Sequence, residues 1–197
     1  HLNHGSFGAG PNRILEQQTQ LRQQMEYNTL RFFEQDLPDL LETAREALGL
    51  FLGAPASDLV FVDNATMGVT TVLSNLNLIA GDRVLITDHG YNACSNAARF
   101  FAEKTGAVVD LINLPFPGSD SNEVIERILK GCTSRTRILL IDHITSPTAL
   151  IMPLEDIVPA VQQRGIQVLV DGAHAPGMLP LRLAELGADY YTGNCHK

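Results

Sequence analysis

No stretch of this chain reaches the eighteen or more apolar residues of a membrane span, and no basic start followed by an apolar run marks a secretory leader. Basic residues are scarce: 14 Lys and Arg stand against 22 Asp and Glu, giving a formal net charge of −8 without any basic cluster. That balance argues against nucleic acid as a main partner, because phosphate backbones are held by clustered cations. Cysteine is rarer still. Cys94, Cys132 and Cys195 are odd in number and widely separated, with neither CxxC nor metal-ligand spacing, so a reducing cytoplasm without a metal site is the expected setting. A GxGxxG turn after an early strand is also missing, which disfavours a dinucleotide-dependent oxidoreductase. There is no internal repeat and no low-complexity segment.

What is present suffices for one sizeable domain: 197 residues, 45% of them hydrophobic. The sequence opens at His1 without a methionine and stops at Lys197 just past a strand pattern, which reads as a fragment of a longer polypeptide. His1–Pro11 is Gly-rich and aperiodic, hence a loop. Its polar residues either line a pocket, with Asn3 and His4 as candidate substrate contacts, or belong to a flexible terminus. Asn12–Asn28 has a helical apolar side of Ile14, Leu15, Leu21 and Met25. A second helix runs from Pro38 to Gly53, and the two helices are expected to cover the core. Residues 1–55 therefore form an N-terminal loop-and-helix segment, and 56–197 a binding domain.

From residue 59 apolar runs of strand length alternate with helical patterns. The expected strands are Leu59–Val62, Val84–Thr87, Val108–Ile112, Ile138–Asp142, Ile166–Val170 and Ala188–Thr192. Helices are expected from Ala65 to about Leu78, over Asn92–Lys104 and Glu123–Lys130, from Pro153 to Arg164, and over Leu181–Leu186. This alternation implies an α/β fold with a mostly parallel, doubly wound sheet. In such folds ligands bind beyond the carboxyl ends of the strands, and that is where the polar residues cluster.

Asn64-Ala65-Thr66-Met67-Gly68 follows a strand and opens a helix, whose first amides and dipole suit a phosphate. By itself it is an ordinary helix cap with Asn64 as the capping residue. Asp88-His89-Gly90-Tyr91-Asn92 ends another strand, and either Tyr91 or His89 offers a face on which a flat ring can stack. The favoured stacker is Tyr91. In His143-Ile144-Thr145-Ser146-Pro147-Thr148 the hydroxyls, Ser146 among them, reach a ring oxygen or merely satisfy the turn. Asp171-Gly172-Ala173-His174 places an acid at a strand end with a histidine three residues on. Asn194-Cys195-His196-Lys197 places a lysine after the last strand. An acid that keeps a pyridine nitrogen protonated and a lysine that forms a Schiff base are the two groups pyridoxal 5′-phosphate (PLP) requires. His174 then serves the ring's phenolic oxygen, and Asn194 and His196 the phosphate.

These segments together resemble the class V aminotransferase family of fold-type I PLP enzymes. DGAHA and CHK are similar to its acid and lysine segments, NATMG to its phosphate loop, and HITSPTA to its ring-oxygen loop. NHGSFG and DHGYNA resemble most the isopenicillin N epimerase-like branch, which also contains C–S lyases. The resemblance covers essentially all of the chain but only the large, cofactor-binding domain, so a C-terminal small domain would be absent here. It implies PLP held by Ala65, Thr66, Met67, Tyr91, Ser146, Asp171, His174, Asn194, His196 and Lys197, with Lys197 and Asp171 catalytic. It also implies an amino-acid substrate and a homodimer. Tyr91 stands where desulfurases usually carry a histidine, and Asn194 where many members have a serine; both favour an epimerase, C–S lyase or aminotransferase over a cysteine desulfurase. Cys195, abutting the lysine, is a poor sulfur carrier. A non-catalytic scaffold of the same fold would need neither Asp171 nor Lys197.

Overall fold

The computed structural model describes residues 4–117 and 120–197. They fall into two compact units, one reaching from the amino terminus to Val60 together with His196–Lys197, the other spanning Phe61–Cys195.

The first unit is helical. A short helix α1 (His4–Phe7) precedes α2 (Asn12–Tyr27), α3 (Thr29–Arg31), a π-helical turn (Phe32–Asp36) and α4 (Leu37–Leu52), followed by a 3₁₀ turn at Ala56–Asp58. The Asn28 side chain starts α3 by accepting the Arg31 amide at 3.1 Å. Pro38 sits in the first turn of α4, and Gly53 closes that helix in the left-handed region at φ 64°, a conformation glycine adopts without a Cβ penalty. Two expectations change. The Gly-rich start contains α1 rather than only loop, because four residues are too few for periodicity to reveal a helix. And α2, expected to bury its apolar side, buries none of its residues, with Ile14 and Leu15 well exposed. An apolar stripe shows that a helix face favours contact, not which surface provides it.

The second unit is the doubly wound domain. In order come α5 (Ala65–Ser74), β1 (Arg83–Thr87), α6 (Asn92–Thr105), β2 (Val108–Ile112), α7 (Ser121–Gly131), β3 (Thr136–Asp142), α8 (Leu154–Gln162), β4 (Gln167–Gly172), α9 (Leu183–Leu186) and β5 (Tyr190–Gly193). The strands form one parallel sheet in the order β2-β1-β3-β4-β5. Alternate strand residues feed two cores. Leu85, Leu139, Ile141, Val168 and Val170 meet Val124 and Ile128 of α7 and Leu154, Ile157 and Val161 of α8. Val84, Ile86, Ile138, Leu140 and Leu169 meet Val69 and Leu73 of α5 and Cys94, Ala98 and Ala102 of α6. Both faces being covered, β3 and β4 read as unbroken apolar runs rather than alternating ones.

The strand order reverses between β1 and β3, so the loops leaving these strands diverge and open a crevice at the carboxyl edge of the sheet. The loops after β1 and β3 flank it. Leu59–Val62, expected as a strand, pairs with no strand among the described residues; Val60 is 83% exposed. An apolar run becomes a strand only where another backbone completes its ladder. Helix α5 ends at Ser74 rather than near Leu78, because the Asn75 side chain turns back to the Thr71 carbonyl at 2.8 Å and its amide to Val72.

Glycine is required at the end of β4. A Cβ on Gly172 would lie 2.3 Å from the Tyr191 ring, whose hydroxyl meets His143 Nδ1 at 2.8 Å. Gly172→Ala is expected to destabilise the domain by about 1–3 kcal/mol in denaturant unfolding, as overpacking does. Adding Tyr191→Ala should remove most of that extra cost, so the double-mutant cycle should show strong coupling; additive effects would show that the ring is not the obstacle.

Candidate active site

The start of α5 is tied to the segment after β5. Asn64 caps the helix by accepting the Met67 amide at 2.9 Å, and the buried Asn194 side chain accepts the Ala65 amide at 2.9 Å. A Cβ on Gly68 would come 2.9 Å from Thr192 Cγ2, so the missing side chain lets α5 lie close against β5. Of the amides expected to face a phosphate, those of Ala65 and Met67 thus already serve Asn194 and Asn64. The Thr66 amide, second in the helix, has no intrahelical partner to take it. The first turn of α5 keeps the positive end of its dipole toward the same carboxyl edge.

Asp171, 3% exposed, ends β4 on the face shared with α5 and α6. Its Oδ1 accepts the Ala173 amide at 3.1 Å and its Oδ2 the Cys94 thiol at 3.1 Å. Burial first, then the charge of Asp171, pushes the Cys94 thiol well above its ordinary value, so it stays a donor. Directly across the ladder from Asp171 stands Asp142, at the end of β3 and 4% exposed. Burial and the charge of Asp171 push its carboxyl up to about 8, against the opposing pull of the Tyr91 and Ser146 backbone.

The flanking loops separate the two candidate stackers. His89 is buried, with Nδ1 on the Thr148 hydroxyl at 2.9 Å and Nε2 on the Leu114 carbonyl at 3.2 Å, and it meets Phe116 edge-on. Because a carbonyl only accepts, Nε2 carries the proton and Nδ1 accepts from Thr148. Tyr91, by contrast, is 43% exposed at the start of α6. In the loop after β3, Thr145 is buried and satisfies Thr148 and the Leu150 amide, whereas Ser146 is exposed. On the opposite face of the sheet the His143–Tyr191 pair forms a second polar cluster. There burial lowers the His143 pKa despite nearby Glu155, and burial with the Asp171 charge raises that of Tyr191.

A model of the aminotransferase class-V family matches residues 10–197. The chain belongs to that family. It is 36% identical to the isopenicillin N epimerase of Amycolatopsis lactamdurans over the whole of this chain and 50% of that protein. It is 31% identical to a probable L-cysteine desulfhydrase, chloroplastic, of Arabidopsis thaliana, again over the whole chain and 44% of the relative. Among solved structures, the cystine C–S lyase C-DES in complex with its product cysteine persulfide superposes with a TM-score of 0.91 at 25% identity, over 98% of this chain and 52% of that one. A C-DES mutant with glycine covalently linked to its PLP cofactor superposes with a TM-score of 0.90 at 24% identity, over 98% and 51%. The chain spans about half the length of the curated relatives it matches.

Within this class-V domain, α5's first turn, Asn194, Asp171, Cys94 and Asp142 share one face and one edge of the second unit. His174 is half-buried beyond β4. His196 and Lys197 belong to the first unit, where a Cβ on Gly5 of α1 would lie 3.2 Å from Lys197 Cγ, so the glycine leaves room for the lysine stem. Asn3 lies outside the described residues, and His4 is placed only by its backbone in α1. The other two lysines, Lys104 and Lys130, are exposed in the last turns of α6 and α7, which lead into the amino ends of β2 and β3, at the far edge of the sheet. Two groups escaped the sequence reading. Asp142 carried the same signal as Asp171, an acid closing an apolar strand before a polar loop. Cys94 carried none, because its bond to Asp171 spans 77 residues.

Replacing Asn194 by Ala would leave the buried Ala65 amide without its partner. The expected cost is about 1–3 kcal/mol of stability, measured by denaturant unfolding, with Asn194→Asp tolerated better because it still accepts. Equal stability of Asn194→Ala and wild type would mean that another acceptor takes the amide.

Proposed function

We propose that this protein is a PLP-dependent enzyme acting at the α- or β-carbon of an amino acid, of the epimerase, C–S lyase or aminotransferase type. The observation that carries the reading is Asp171: a buried carboxyl at a strand's carboxyl end, oriented by a thiol and an amide, on the same edge and face as the open first turn of α5. Burying an acid is costly, and a pyridinium nitrogen against it would offset that cost. The residues at the edge also fit the rest of the cofactor. Thr66 and the α5 dipole suit the phosphate, and Ala65, Met67, Asn194 and His196 are the further residues proposed to hold it. Tyr91, exposed where His89 is tied down, suits the ring face. Ser146 and His174 suit the ring oxygen.

Bound PLP supplies an electron sink that stabilises negative charge at the substrate α-carbon. Asp171 would keep a proton on the ring nitrogen. Lys197 would supply the amine that holds the cofactor and would move the proton at the α-carbon. Lys104 and Lys130, at the opposite edge of the sheet, serve neither task. The reading extends to a homodimer in the cytoplasm and to a small amino-acid substrate, the last of these supported by the family.

Asp171→Asn is expected to keep the cofactor attached but to slow exchange of the substrate α-proton into heavy water by roughly a hundredfold or more, since a neutral amide cannot hold the ring nitrogen protonated. Lys197→Ala should bind the cofactor without covalent attachment and exchange no proton. Wild-type exchange in Asp171→Asn would remove the assignment of the acid.

A further inference from the structure

His89 has no part in the function just proposed, yet it is buried and bonded at both ring nitrogens. Its partners come from two other loops at the carboxyl edge of the sheet. Asp88 and His89, after β1, bracket one residue of the loop after β2. Asp88 Oδ1 accepts the Leu114 amide at 2.9 Å, and His89 Nε2 meets the Leu114 carbonyl at 3.2 Å. From the loop after β3 comes Thr148, whose hydroxyl lies 2.9 Å from His89 Nδ1. Thr148 in turn meets the buried Thr145 hydroxyl at 2.8 Å, and Thr145 Oγ1 accepts the Leu150 amide at 2.8 Å. Each proton in this relay has one place. Nε2 donates, because a carbonyl only accepts, which leaves Nδ1 to accept from Thr148. Thr148, its single proton committed, accepts from Thr145, whose other acceptor, the Leu150 carbonyl, is farther away at 3.4 Å.

A second observation lies between Thr148 and Leu150. Ala149 stands in the left-handed region at φ 54°, the single non-glycine residue there among the described residues. Such a conformation persists only where its surroundings impose it. Thr145 does so with three of its groups. Its amide bonds the Leu150 carbonyl at 2.9 Å, its carbonyl takes the Ala149 amide at 2.8 Å, and its hydroxyl takes the Leu150 amide. The relay from His89 thus ends on the residue that holds this strained turn.

We propose that His89 is a positioning residue: through Thr148 and Thr145 it latches the loop that carries Tyr91 to the strained loop that carries Ser146, and so sets the width of the crevice between them. Tyr91 is two residues beyond His89, and Ser146 lies between the two threonines. These are the loops that the reversal of strand order parts, and the relay is a side-chain link across that gap. The latch rests on the PLP reading for what the crevice holds, but its bonds do not. A hydroxyl is what the relay needs at position 148, since the group there must donate to Nδ1 while accepting from Thr145. Serine meets that demand. Valine, of nearly the same shape as threonine, does not.

The test compares the full-length wild type with Thr148→Val and Thr148→Ser, first without PLP and then with it. Nitrogen NMR of the cofactor-free wild type, labelled at histidine, should show His89 with one ring proton, on Nε2. A proton on Nδ1, alone or together with one on Nε2, overturns the relay. Amide hydrogen exchange over residues 144–151 should be severalfold faster in Thr148→Val and unchanged in Thr148→Ser. In PLP titration, Thr148→Val should bind about tenfold more weakly, while Thr148→Ser stays within about threefold of wild type. A residue that only stabilised the fold would lower the thermal midpoint without this difference in cofactor affinity. Wild-type exchange or wild-type affinity in Thr148→Val overturns the proposal, as does a serine variant as weak as the valine one. Should Thr148→Val not fold, an Nε2 proton on His89 together with a serine variant that behaves as wild type supports the latch, and the failure of either overturns it. A wild type that binds no PLP would refute the proposed function, while the NMR signal and the loop exchange still decide the latch.

Discussion

A strand covered on both faces can present polar side chains only where it ends. β3 and β4 are such strands: Ile138 to Ile141 and Val168 to Val170 are all at most 4% exposed. The first acidic side chains after these apolar runs are Asp142 and Asp171, themselves buried, at the same level and on the same face. The reversal of strand order beside β3 then parts the loops above them. The position of the candidate site therefore follows from the burial of the sheet, and the loops add identity rather than location.

Placing two acids at one dry edge creates an electrostatic demand that shapes the neighbourhood. The Cys94 thiol and the Ala173 amide both donate to Asp171. Helix α5 is fixed to the segment after β5 by Asn194 and by the close approach at Gly68.

The sheet was legible because Val108–Ile112, Ile138–Asp142 and their companions are apolar runs of strand length separated by helical patterns, and burial on both faces is what such runs require. Leu59–Val62 has the same texture but forms no strand, since a ladder depends on a partner that its own residues do not specify. The four residues of α1 are too few to show a period. At the site, Asp171, Asn64 and Asn194 stand in segments whose residue types announce their chemistry. The difference between Tyr91 and His89 was not legible, because the bonds of His89 to Leu114 and Thr148 are set by tertiary packing. Asp142 went unremarked because an acid at a strand end is equally a turn residue until its neighbour across the sheet is known. Cys94 gave no signal, as its partner is set by tertiary packing alone.

The central claim is that Lys197 is the lysine that carries the cofactor, and this chain offers only two others, Lys104 and Lys130, for comparison. The most direct measurement is to load the full-length protein with PLP, reduce it with borohydride, digest it and locate the pyridoxyl group by mass spectrometry. The account predicts a single modified peptide from this part of the protein, ending the NCHK segment at Lys197. A pyridoxyl group on Lys104 or Lys130 instead, or none on Lys197, would contradict it.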